Sequence, residues 1–174
     1  MTSPQDSLRF HGGDPEAFRG LARRWAASVT VVTVARHDGT LDGFTATGFL
    51  TVSIDPPIVM VSATRESSAA EMLSETDGFV VNLLAHHQRD LADLFATPHP
   101  QRDDPFARFA HHVEAPAGPR LGGTLGAFSA RVRQRIDAGD HVLVLGDVIA
   151  LHHGPDDAPL VYHNRQYGTV APRG

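Results

Sequence analysis

Apolar residues recur along this chain with two different spacings. After Asp14-Pro15-Glu16, the residues Phe18, Leu21, Ala22 and Trp25 fall at i, i+3, i+4 and i+7, one stripe of an α-helix. Aspartate is a favoured N-cap and proline suits the first helical position. The spacing predicts an amphipathic helix whose stripe packs on the body of the domain. Beyond it the pattern changes to short runs rich in valine, threonine and other β-formers, which predict strands at 29–35, 41–49, 58–63, 79–84, 128–137, 142–151, 160–162 and 167–170. Asp38-Gly39 and Gly139-Asp140 mark hairpin turns. Asp55-Pro56-Pro57 interrupts the pattern, because neither proline can donate to a sheet.

Two further short helices are predicted. Ser68-Ala69-Ala70-Glu71 fits a capping box opening a helix through Leu73, and 87–96 places Leu91, Leu94 and Phe95 on one face. Residues 97–125 hold many of the prolines and glycines and read as a long, mostly irregular excursion. Many strands, few helices and no β-α alternation predict a mainly β fold, a closed or nearly closed β-barrel rather than a doubly wound sheet. The expected organisation is a flexible tail over 1–13 and a single domain over 14–174, a length that suits one domain and not two.

Composition narrows the chemistry. With no cysteine among 174 residues, disulfides and thiolate metal sites are excluded, and a cytoplasmic setting fits. No apolar run approaches the roughly 20 residues that span a bilayer, so no membrane partner is expected, and the first residues lack a signal-peptide core. A net charge of −5 argues against a nucleic-acid surface. All 15 basic residues are arginine, so no lysine is available for a Schiff base or a P-loop. Eleven histidines include the pairs His86-His87, His111-His112 and His152-His153. Neighbours on a strand point to opposite faces, there is no HExxH spacing, and no metal site is expected.

Four stretches, taken together in order and spacing, carry a resemblance. They are Val29-Thr30-Val31-Val32-Thr33; Gly43-Phe44-Thr45-Ala46-Thr47-Gly48-Phe49 with Val52-Ser53-Ile54-Asp55-Pro56-Pro57; Phe79-Val80-Val81-Asn82-Leu83-Leu84; and Gly139-Asp140-His141 with Gly146-Asp147-Val148 and Pro159-Leu160-Val161-Tyr162. The chain resembles the flavin reductase family, the short reductases of two-component flavin monooxygenases. The resemblance implies a split β-barrel of Greek-key type that binds FMN or FAD, takes NADH or NADPH as co-substrate, forms a homodimer and supplies reduced flavin to a separate monooxygenase. It also marks a departure: the family often has serine where Gly48 stands, which would remove one hydroxyl from the flavin.

Such chemistry asks little of the protein. The two rings carry the redox reactivity, and the protein stacks them and places donors where negative charge develops. Thr45, Ala46, Thr47, Gly48 and Phe49 let the backbone approach a flavin and bring two hydroxyls, and Ser53 follows in the same motif. Arg65, Ser67 and Ser68, before a helix start, are candidates for the flavin phosphate. Asn82, polar within an apolar run, needs partners if buried and is a candidate either for flavin or for a neighbouring loop. By resemblance, His141 lies beside the nicotinamide and Asp140 fixes its ring. Phe106, Phe109, Tyr162 and Tyr167 read either as ligand covers or as core. Two other functions fit the same barrel: a flavoprotein with tightly held FMN acting on another substrate, and a non-enzymatic flavin-binding module.

Overall fold

The computed structural model describes residues 12–97 and 104–170. Nearly all of the expected 1–13 tail lies outside the described residues. Helix α1 (Pro15–Ala22) begins as the sequence predicts, with Asp14 Oδ2 accepting from the Ala17 amide at 2.7 Å. Strands β1 (Ala27–Ser28), β2 (Thr30–Ala35), β3 (Leu41–Ala46), β4 (Phe49–Ile54) and β5 (Pro57–Thr64) follow, then α2 (Ser68–Ser74), β6 (Gly78–Leu83) and α3 (Arg89–Ala96). The second half holds α4 (Pro105–Arg108), β7 (His111–Glu114), β8 (Gly118–Leu121), β9 (Gly126–Ala138), β10 (His141–His153), β11 (Leu160–His163) and β12 (Gln166–Thr169).

One antiparallel sheet of seven strands runs in the order β3-β2-β6-β9-β10-β5-β4. Its two end strands, β3 and β4, are consecutive in the chain and joined only by Thr47 and Gly48. That short link forces the sheet to curl until its ends meet, which makes a split β-barrel. The interior is filled by alternating side chains, among them Val32, Val34, Phe44, Val59, Val61, Phe79, Val81 and Val144, with Met72 and Leu73 of α2 packed against them. A second cluster joins Leu91 and Phe95 of α3 to Val29, Val31, Leu84, Leu121 and Leu160. The small sheet β1-β11-β12 and the hairpin β7-β8 complete the fold.

Three expectations need correction. The strand expected over 41–49 breaks after Ala46, and Phe49 opens β4, which pairs with β5 instead of β2. Local pattern does not register the crossing from one barrel edge to the other. Residues 97–125 are not mostly irregular where described, since they contain α4 and the β7-β8 hairpin. The apolar stripe of α1 does not pack on the body of the domain: Phe18, Leu21 and Trp25 are 73%, 69% and 78% exposed.

Candidate flavin site

Strand β5 organises the site. At one edge it meets the β3–β4 link, where the Ser62 amide donates to Gly48 O at 2.9 Å. At its other edge it pairs with β10, bringing Thr64 opposite His141. A cavity of about 320 Å³ opens between them, lined by Phe44, Thr45, Ala46, Thr47, Gly48, Ser62, Ala63, Thr64, Ser67, Ala69 and His141. Among the described residues no carboxylate lines it.

His141 stands just past the β9–β10 turn. That turn is two residues long, Gly139-Asp140, and Gly139 takes φ +63°, a left-handed conformation suited to glycine. The imidazole Nδ1 lies 2.7 Å from Asp140 Oδ1. A carboxylate accepts, so Nδ1 carries the proton of this hydrogen bond and the ring is held in one orientation. The hydrogen bond from His141, then its charge when protonated, holds the exposed Asp140 carboxyl below its usual range. Arg65 braces the same tip: its amide donates to Asp140 O at 2.9 Å and its guanidinium to Gly139 O at 2.8 Å, with Asp137 at 3.6 Å.

The cavity thus gathers six of the sequence-predicted residues: Thr45, Ala46, Thr47, Gly48, Ser67 and His141. Some of their hydroxyls already serve the fold. Thr45 Oγ1 donates to Ala92 O of α3 at 2.6 Å, and Ser67 Oγ donates to Thr64 O at 2.6 Å while capping α2. The helix cap is therefore Ser67 and not Ser68, which lines a different cavity.

Other expected ligand residues stand elsewhere. Phe49 turns its ring onto Phe128, 5.4 Å between centroids, as part of the barrel core. Ser53 sits opposite Ile58 at the far end of the β4-β5 hairpin. Asn82 is fully buried: its amide donates to Val31 O and Thr33 Oγ1, both at 3.0 Å, and its carbonyl accepts from the Leu121 amide at 2.8 Å. These bonds tie β6 to β2 and β8, and Asn82 does not line the cavity. Arg65 and Asp140 act on the hairpin tip rather than on the cavity wall. Phe106, Phe109, Tyr162 and Tyr167 pack against the second core cluster.

Sequence reasoning missed Ser62 and Thr64. The available signal was two hydroxyl residues at i and i+2 in an apolar strand, on the face opposite the buried Val59, Val61 and Ala63. Other cavities adjoin the barrel. One of about 660 Å³ is bordered by Arg36 and Asp42, and Arg36 is already paired with Asp42 at 3.1 Å and Glu75 at 2.6 Å. Another, of about 360 Å³, shares Thr47 and Gly48 with the candidate site and carries Arg19, Arg23, Trp25 and Arg165. The histidine reasoning also needs amendment. His86 and His87 lie in a turn, not a strand, and both rings approach Asp157 at 3.3 Å. They form the one group of three potential metal ligands among the described residues, and none of them lines the candidate cavity.

A curled antiparallel barrel with a carboxylate-free cavity of small residues, hydroxyls and one oriented histidine defines a cofactor-handling β-barrel domain. The model of the flavin reductase like domain matches residues 22–171, and the chain belongs to that family. An NADH:FMN oxidoreductase of Rhodococcus qingshengii is 38% identical over 177 residues, 99% of this chain and 88% of that protein. Among solved structures, the flavin reductase component of a bacterial two-component tryptophan halogenase superposes with a TM-score of 0.82 at 32% identity, covering 92% of this chain and 100% of the other. The styrene monooxygenase flavin reductase of Pseudomonas putida S12 gives 0.78 at 27% identity, covering 90% and 98%. No helix among the described residues is long and apolar enough to cross a membrane.

Proposed function

We propose that this flavin reductase binds FMN in the cavity between the β3–β4 link, β5 and the tip of β10, and takes reducing equivalents from NADH there. The observation that carries the reading is the convergence of the backbone at Thr45, Ala46, Thr47 and Gly48 with the His141 ring on one cavity free of carboxylates. The residues present fit a flavin. The volume of about 320 Å³ lies at the lower end of the range usual for ligand pockets, about 300–1,000 Å³. Its walls are small, and the Thr47, Ser62 and Thr64 hydroxyls have no hydrogen-bond partner among the described residues. A bound flavin supplies the hydride-accepting ring.

The chain's own part is placement. The β3–β4 link and β5 hold the flavin by backbone and hydroxyl contacts, and His141, its ring set by Asp140, borders the place where nicotinamide stacks. The adjoining cavity supports a path for the dinucleotide phosphates: Arg19, Arg23 and Arg165 line it, and none makes an ion pair among the described residues. Anions of this kind are held by guanidinium groups. In this reading Arg65, half exposed beside Ser67, swings from Asp137 to the FMN phosphate. The reduced flavin passes to a separate flavin-dependent monooxygenase.

The reading also includes a homodimer. The outer faces of α1 and β4 leave Phe18, Leu21, Leu50, Val52 and Ile54 exposed, with Ile54 at 94%. An apolar surface of this kind marks an association site. Flavin fluorescence quenching tests the binding site. Thr47→Trp, which fills the cavity mouth from an exposed position, is expected to abolish FMN binding while the melting temperature holds; unchanged binding would place the flavin elsewhere.

A further inference from the structure

Gly48 is a glycine for a reason the backbone does not supply. Its φ is not among the positive values, unlike that of Gly139, so a side chain at 48 meets no conformational barrier. The neighbour that a side chain would meet is Ser62: a Cβ built on Gly48 would come 2.2 Å from Ser62 Oγ, so the hydroxyl would have to turn aside. The Ser62 hydroxyl stands where a side chain at 48 would begin, and the two residues are tied by the Ser62 amide to Gly48 O bond of 2.9 Å.

That hydroxyl faces the candidate cavity and makes no hydrogen bond among the described residues. The contrast within the same lining is informative. Thr45 Oγ1 and Ser67 Oγ are both engaged by backbone carbonyls and serve the fold. Ser62 Oγ is half-buried and unengaged. The Ser62 hydroxyl is thus committed to no group of the fold and is open to a ligand that enters the cavity.

We infer that Ser62 is a flavin-positioning residue: its hydroxyl hydrogen-bonds a polar atom of the flavin, and Gly48 makes room for it. The hydroxyl absent from position 48 is in this way supplied by the adjacent strand. This rests on the reading that flavin occupies the cavity, and the test separates the two.

The experiment measures FMN binding to the full chain by fluorescence quenching, with the melting temperature of every variant. Ser62→Ala is expected to weaken FMN binding about tenfold, the value of one hydrogen bond of ordinary strength, with melting unchanged. Gly48→Ser alone is expected to turn the Ser62 hydroxyl aside and weaken binding, with melting near that of the parent. Gly48→Ser combined with Ser62→Gly moves the hydroxyl across the strand pair and is expected to restore binding to within about threefold. If Ser62→Ala binds FMN like the parent while Thr47→Trp does not, the role of Ser62 is overturned and the cavity stands. If both bind like the parent, the cavity and the inference fall together. Weak binding in Ser62→Ala without recovery in the double variant also overturns the exchange.

Discussion

Residues of similar chemistry do different work in this barrel according to what their polar atoms meet. His141 has its Nδ1 fixed by Asp140 and the rest of its ring on the cavity. His141→Ala is expected to raise the KM for NADH about tenfold and to move the FMN dissociation constant less than about threefold. Steady-state kinetics and fluorescence titration on one preparation check both. Asn82 is the opposite case. Removing its buried amide strands the Leu121 amide and the Val31 carbonyl, so Asn82→Ala is expected to cost about 1–3 kcal/mol and lower the melting temperature by several degrees. FMN affinity is expected to stay unchanged in the folded fraction. The sequence showed a polar residue that needed partners but not which partners, because those come from residues 31, 33 and 121. Ser62 was illegible for a related reason: its importance appears only when β5 is laid beside Gly48.

At the level of elements, local signals were read well where the cause was local. The N-cap of α1, the glycine turns and the two long strands β9 and β10 all follow from neighbouring residues. The errors lie where a distant partner decides. The α1 stripe was expected on the body of the domain, but its apolar residues face solvent, as does Ile54 of β4. Amphipathicity states that a face will be covered and does not state by what. If a second copy covers them, Ile54→Arg is expected to convert a dimer to a monomer in light scattering, while the barrel melts near the parent temperature. A parent protein that is monomeric at micromolar concentration would contradict the dimer. The β7–β8 hairpin shows the same dependence on distance. It is moored by Glu114, whose carboxylate accepts from Ser129 Oγ at 2.7 Å and Arg120 Nε at 3.1 Å, with His152 Nε2 at 2.9 Å. Burial pushes this carboxyl up, but the hydrogen bonds from Ser129, Arg120 and His152 outweigh it and hold it below the usual range. A carboxyl lowered by folding stabilises the protein above its unfolded value, about pH 4, and that contribution is lost as pH falls through the lower folded value. Glu114→Gln is therefore expected to melt about 2–4 °C lower at neutral pH, with the gap closing below about pH 4.

For the molecule as a whole, barrel closure and function share one feature. The sheet ends meet at Thr47-Gly48, and the same two residues wall both the candidate flavin cavity and the arginine-lined cavity beside it. The split in the barrel is thus where both cavities open. This much was legible in the sequence as a class: strand-rich, small residues and hydroxyls at 45–48, and a histidine after a tight turn. The closure itself was not, because pairing of strands far apart in sequence leaves no local trace.

The most direct test is the loss of 340 nm absorbance from NADH or NADPH with FMN, FAD or riboflavin added in turn. Oxidation of NADH that depends on added flavin and is fastest with FMN is the expected result. Folded protein that binds FMN yet oxidises neither nicotinamide with any flavin would contradict the reductase and leave a flavoprotein of other chemistry.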